Sequence, residues 1–456
     1  MQDDSMFKKV SNYLTGGRLQ WEDMGEVYDR FLVDNKTYDF VKGPEELKKK
    51  FYDYFPEHRS EIDLYFKHIR KASKRSMRFF ASKALPPILS WTIGAFWRYS
   101  FRKYSKQTTW NFLSGITDNH DLKNLFCGQC GDYGLPPKES SFGVHAIIVN
   151  HFIDGGFYPV GGAAQIHENM VQEIIDHGGK VFVRAEVEEI LTEGKRAVGV
   201  RVNGRDIKVR NVISNVGMRT TFDTLLKNKG LSPKQTEFKS VQPSHSHYCL
   251  YVGLNKSDEE LMLPKHNVWY YDGDDMDAVL KKILSQEEKE LRFAYISFPS
   301  AKDSDWVKKH GNTATIQAVG ISNMDWFRKF EETNWMKRGE KYEALKQEFE
   351  EKMLELLYKL FPQIKGQVVV TEVSSPLSTK HFTNHQSGEI YGLAHTPERY
   401  SLKCLHPKTE IKGLYLCGQD IVTVGFGGAV ASGVVCATQL LKYEMYRQFR
   451  SMTKTG

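Results

Sequence analysis

Between residues 160 and 215 the spacing of apolar positions changes period. Ile166, Met170, Val171, Ile174 and Ile175 fall three or four apart, which predicts one helical face from Gln165 to His177. Gly178 and Gly179 follow, where a helix commonly ends in a left-handed cap. The period then drops to two. "KVFV" reads as a strand, and "VEEILTEGKRAVGVRVNGRDIKVRNVISN" as three short strands with turns at Glu193-Gly194 and Asn203-Gly204. The segment ends in an apolar strand from Val212 to Ser214.

The same reading organises the rest. "YDRFLV" and "KTYDFV" form two strands around an Asp-Asn turn within residues 1–60. Residues 61–125 read as mainly helical, and glycines punctuate residues 126–160. From about residue 230, "HSHYCLYVGL", "NVWYYD", "RFAYISF", "TATIQAVG" and "QVVVTEV" are rich in aromatic and β-branched residues, as strands are. Between the last two, Leu345, Phe349, Met353, Leu356 and Leu360 mark a helix stopped by Pro362. The expected layout is a remnant of the cofactor and substrate region at 1–60, a basic helical segment at 61–125, and a cofactor-binding part with a meander at 126–228. A substrate domain built on an antiparallel sheet follows at 229–400, and a returning strand and helix at 401–445. The fold class is α/β.

With 456 residues and 26% charged positions the composition is globular, and no apolar run is long enough to span a bilayer. The opening residues do not form a secretory signal, so a reducing compartment is expected, and six scattered cysteines fit it. Cys127 and Cys130 form a lone C-x-x-C without a second pair, so no metal site is expected. The net charge of +7 is modest but unevenly placed. Lys67 to Lys106 holds eleven Lys or Arg and no Asp or Glu, around the apolar run "ALPPILSWTIGAFW" from Ala84 to Trp97. Cations flanking an apolar, Trp-bearing run suit a lipid headgroup boundary, although a buried helix pair with solvated ends has the same pattern. Nucleic acid has no use for the apolar run.

One stretch carries chemistry: "LYLCGQDIVTVGFGGAVASGVVCA", Leu414 to Ala437, with Asp420 its sole acid. A strand from Leu414 to Cys417 precedes bare backbone at Gly418 and at Gly425, Gly427 and Gly428, where a flat ligand can approach. A helix is expected from about Gly427, its first N–H groups suited to an electron-rich oxygen. Ala429, Gly433 and Ala437 leave one helical face bare for close packing. A flavin fits, with its polyhydroxyl chain on Asp420 and its pyrimidine oxygens at the helix start. Ordinary strand–turn–helix packing fits as well.

Further blocks carry a resemblance. "GDYGLPPKESSFGVHA", "GGFYPVGGAAQIHENM", "HGGKVFVRAEVEEIL", "VISNVG", "PLSTKHFTNHQSGEIYGL" and the stretch above together resemble the phytoene-desaturase and carotenoid-isomerase group of FAD-dependent oxidoreductases, on its retinol-saturase side. The resemblance implies a glutathione-reductase-type FAD domain, with Val187 at the adenine end, Asn215 where a strand passes the cofactor, and Gly418, Asp420, Gly425, Gly427, Gly428 and Ala429 at the flavin end. It implies a saturase acting on a retinoid- or carotenoid-like polyene, with desaturase or isomerase as the alternative and NAD(P)H as a candidate electron donor. The lipophilic substrate implies a peripheral membrane protein on the cytoplasmic side, at the endoplasmic reticulum in a eukaryote. The proton-handling side chain stays open among Tyr391, His381, Tyr133 and Asp132, and Tyr158 is a candidate for lining the site. The group's G-x-G-x-x-G unit is not found in the sequence, so the chain is expected to be short at its start. A flavin-free remnant that binds a membrane surface or a partner is the reading from another class.

Overall fold

The computed structural model describes residues 6–227, 231–285, 291–442 and 445. Helix α1 (Met6–Leu14) leads to a short strand β1 (Trp21–Asp23) and a hairpin, β2 (Val27–Val33) and β3 (Lys36–Val41). Asp34, with φ 53°, makes the expected turn. Helices α2 (Arg59–Ala81), α3 (Pro87–Trp91) and α4 (Ile93–Ser105) follow, then β4 (Phe157–Pro159), which pairs back on β1. Helix α5 (Ala164–Asp176) precedes the meander β5 (Val187–Glu193), β6 (Arg196–Val202) and β7 (Arg205–Lys208), and then β8 (Val212–Ser214). Asn203 and Gly204, at φ 48° and 73°, make the turn that an Asn-Gly pair favours.

Strands β9 (Ser246–Leu254), β10 (Asn267–Tyr271), β11 (Phe293–Ser297), β12 (Ala314–Ser322) and β13 (Val368–Ser374) join the hairpin in one seven-stranded sheet, in the order β13-β9-β12-β11-β10-β2-β3. The pairings from β13 to β10 are antiparallel, as expected. The hairpin adds through a parallel pairing of β2 with β10. The period-two alternation sorts side chains between two cores. Val268, Ala294 and Ile296 face the cluster completed by Met353, Leu356 and Leu357 of α6 (Glu340–Leu360). Trp269, Tyr271 and Phe293 face the opposite cluster, with Phe31 and the helical layer of Tyr65, Phe126 and Tyr133. Strand β14 (Leu414–Leu416) pairs in parallel with β8, and α7 (Gly425–Leu441) closes the described chain.

One expectation fails, beside a helix that forms as expected. The segment "KVFV" is not a strand, and Val181, Phe182 and Val183 are exposed, as are Ile174 and Ile175 on α5. A strand exists only where a neighbour takes its N–H and C=O groups, and none pairs with this segment among the described residues.

Candidate cofactor site

Strands β8 and β14 run in parallel and end together, and the segments leaving their carboxyl ends stay in contact. The Cys417 N–H donates to the Ser214 carbonyl at 2.9 Å. Asn215 Oδ1 crowds the place a side chain would take at Gly418, and Gly418 has φ 94°. The Gly418 N–H donates to Ser432 Oγ of α7 at 2.6 Å. The crevice beyond strand ends in an open parallel arrangement is where α/β folds place their ligands.

Asp420 is buried in this junction, and its partners are the protein's own backbone. Oδ2 accepts from the Met218 N–H at 2.7 Å and Oδ1 from the Leu393 N–H at 2.8 Å. A side chain at Gly392 would collide with the carboxylate, so the 391–393 segment can approach only because position 392 is bare. Arg399, buried as deeply, has Nη1 at 3.9 Å from Asp420 Oδ1. Its guanidinium also donates to the carbonyls of Leu393, Gln419 and Asp420. Burial lowers the Arg399 pKa, and the Asp420 charge opposes that shift. From the other side Lys83 donates to the Ile421 carbonyl at 2.6 Å. Its ammonium is enclosed although part of the residue reaches the surface. Burial, with the Arg399 charge second, pushes its pKa down to about 7. Sequence reasoning missed both cations. Arg and Lys read as surface residues unless something marks them as folded inward, and nothing local does.

Helix α7 begins at Gly425, two residues before the expected start, and no side chain caps it. Thr423 Oγ1, just before it, is buried without a hydrogen-bond partner. A methyl added at Gly425 or Gly433 would meet no atom of the described residues within 4 Å. The bare face of α7 was expected to pack closely, but at Gly433 it opens onto space. Uncapped N–H donors, an orphaned hydroxyl and open backbone at Gly425 and Gly433 fit a flat, oxygen-bearing group, whereas Gly427 is covered by Phe7 and Gly428 by the Thr423 carbonyl. Phe7 of α1 lies near this opening, edge-on to Phe426 at 5.6 Å.

The structure thus gathers Asn215, Gly217, Gly418, Asp420, Gly425, Gly427, Gly428 and Ala429 around one junction. Val187 stands apart in the meander, opposite Val202 and partly exposed. The open candidates for proton handling scatter. His381 is on the surface, stacked on Trp335 with ring centres 4.2 Å apart. Tyr133 is buried with its hydroxyl 3.3 Å from His145 Nδ1, and Tyr65 Oη lies 3.0 Å from His145 Nε2. Burial holds that imidazole down to about 3, so it is neutral. Tyr391 lies against Gly134, next to the Gly392–Asp420 contact. Burial and then the neighbouring Asp29 charge hold the Asp132 carboxyl well above the usual carboxylate range. Tyr158 pairs opposite Glu22, half-buried. Cys127 and Cys130 are free, buried thiols.

This arrangement defines a flavoprotein-type oxidoreductase, and the chain belongs to the flavin-containing amine oxidoreductase family, whose pattern matches residues 40–441. It is similar to the all-trans-retinol 13,14-reductase of Danio rerio, at 30% identity over 98% of this chain and 77% of that protein. A second Danio rerio relative, 28% identical over 97% of this chain and 76% of its own length, is named an inactive all-trans-retinol 13,14-reductase. The chloroplastic prolycopene isomerase of Daucus carota is 28% identical over 64% of this chain and 45% of its own. Among solved structures, wild-type putrescine oxidase bound to putrescine has the same fold, with a TM-score of 0.58, 13% identity, and coverage of 98% of this chain and 87% of that one. No described helix is long and apolar enough to cross a membrane.

Proposed function

We propose that this protein is an FAD-dependent oxidoreductase that saturates a carbon–carbon double bond of a retinoid- or carotenoid-like polyene. The observation that carries the reading is the open backbone at Gly425 and Gly433 and the uncapped start of α7 beside the carboxyl ends of β8 and β14. The likeness to a retinol reductase and to a carotenoid isomerase supports the substrate class. When bound, the flavin supplies hydride for one carbon of the conjugated bond. The N–H groups at the start of α7 and Thr423 would hold its oxygens. Asp420 and Arg399 position the loop that presents them, and the strand of Val187 serves the adenine end. The neighbouring carbon needs a proton. Burial, with the Asp29 charge second, raises the Asp132 carboxyl well above the usual carboxylate range in the Tyr391 neighbourhood, so it is the group we assign to hold that proton. NAD(P)H is carried as the candidate reductant.

The test is flavin absorbance in the purified protein, followed by mass analysis of a defined polyene after incubation under reducing conditions. A product heavier by two hydrogens supports the saturase. An unchanged mass with altered geometry makes the enzyme an isomerase, and loss of two hydrogens makes it a desaturase. The relative named as inactive favours a second reading, a fold kept without its chemistry, for which colourless protein without saturable FAD uptake would speak. Adding or withholding NAD(P)H during turnover tests the reductant.

A further inference from the structure

We infer that the elbow formed by α3 and α4 is a wedge that inserts into the headgroup layer of an anionic bilayer. Its purpose rests on the polyene reading, but its evidence does not. Within twelve residues the elbow exposes Ile88 (79%), Trp91 (80%), Phe96 (65%) and Tyr99 (70%), together with Leu89 and Ile93. A soluble surface scatters such residues singly, and a contiguous group marks an interaction site.

The elbow is built and held. Arg98 Nη2 donates to the Ser90 carbonyl at 2.9 Å, and its Nη1 lies 3.3 Å from Ser90 Oγ and 3.4 Å from Ser82 Oγ. Thr92 Oγ1 donates to the Ile88 carbonyl at 3.1 Å. Gly94 is buried where a side chain would press on Arg98 and Leu85. At its root, Gln439 of α7 donates to the Lys83 carbonyl at 2.7 Å, and Lys83 donates to Ile421. The apolar tip is therefore fixed to the same loop and helix that form the cofactor junction.

Charge names the partner. Exposed cations flank the tip along the chain: Lys67, Lys71, Lys74 and Arg78 on α2 before it, and Arg102, Lys103 and Lys106 at the far end of α4 after it. The sequence from Lys67 to Lys106 holds no acid. Phe96 and Lys103 are seven residues apart on α4, about 10 Å at the helical rise. That matches the depth of roughly 5–10 Å to which an apolar face enters the headgroup boundary, leaving the cations among lipid phosphates. A protein partner of matching charge would need an acidic rim around an apolar pit, whereas an anionic bilayer offers both everywhere.

The experiment is co-sedimentation of the full chain with phosphatidylcholine vesicles, with and without about one third phosphatidylserine. Flavin uptake and turnover of a detergent-dispersed polyene are measured in parallel. The wild type is expected to bind the anionic vesicles and to be released by salt. The double substitution Trp91→Glu/Phe96→Glu is expected to weaken binding at least tenfold. Lys71→Ser and Lys74→Ser should each weaken it roughly fivefold at low salt. Flavin uptake should be unchanged in all of them, because none of these side chains belongs to the cofactor junction. Equal vesicle binding by the wild type and the double variant overturns the wedge. So does absence of vesicle binding, and so does self-association through the patch in its place. If the wedge fails while flavin chemistry persists, the proposed function stands. If vesicles bind but no flavin is taken up, the function fails and the wedge stands.

Discussion

A single buried carboxylate decides where three chain segments meet. Asp420 receives N–H groups from Met218 and Leu393 and faces Arg399, so its charge is matched entirely inside the protein. Asn at this position keeps the shape but offers one oxygen in place of two and leaves Arg399 without a counter-charge. Removing one member of a buried pair costs on the order of 3 kcal/mol. Asp420→Asn is therefore expected to lower the urea midpoint and to release flavin, and Asp420→Asn/Arg399→Met should recover part of the midpoint. Equal midpoints for wild type and Asp420→Asn would contradict this. Lys83 gives a signed pH effect. Its folded pKa, about 7, lies below the ordinary 10.5, so between those values the unfolded chain binds more protons. Its unfavourable contribution is full below about 7 and is relieved as pH rises toward 10. The stability of wild type relative to Lys83→Gln should therefore rise across that window in paired denaturation curves. A flat difference would place the ammonium in contact with water.

At the scale of elements, α7 separates two demands on one face. Gly433 is exposed and a methyl there would meet nothing within 4 Å, so Gly433→Leu removes a helix-weakening glycine at an open position of the unliganded protein. The substitution should leave thermal stability equal or higher, by up to roughly 1 kcal/mol. If that face receives a flavin, uptake should fall at least tenfold, read by absorbance titration. Retained uptake would move the cofactor off α7. Elements were also where the sequence was most legible. The meander, its Asn-Gly turn, the hairpin around Asp34 and helix α6 all follow from local periodicity and local turn chemistry. "KVFV" has the same local credentials and forms no strand, because strand formation depends on a pairing partner elsewhere in the chain. The lone acid of the glycine-rich stretch was legible as special. That its oxygens would be taken by Met218 and Leu393, 202 and 27 residues away, was not, since those contacts exist only after the strands have paired.

Across the whole molecule, the N-terminal hairpin is joined to the large sheet by one parallel pairing and by a buried polar knot. Asp29 of β2 accepts from Asn267 Nδ2 and Gln129 Nε2, both at 2.9 Å. Lys302 donates to Asn267 and, at 2.6 Å, to Ser297. The knot links β2, β10, β11 and the segment that carries Cys130 and Asp132, so its electrostatics bear on how the hairpin seats. Burial raises the Asp29 carboxyl to about 6. A carboxyl raised in the folded state binds its proton more tightly there than in the unfolded chain. Its favourable contribution is present below about 3.8 and lost as pH climbs through about 6. Gln129 Oε1 is buried without a partner, so a flipped Gln129 amide could accept from a donor at position 29. Asp29→Asn supplies such a donor and carries no charge at any pH. The variant should match or exceed the wild type in stability above pH 6 and lose the decline between pH 4 and 6, as read from unfolding midpoints across that range. A variant that is less stable than the wild type at pH 7 would mean that the charged carboxylate, held by Lys302, is what seats the hairpin on the sheet.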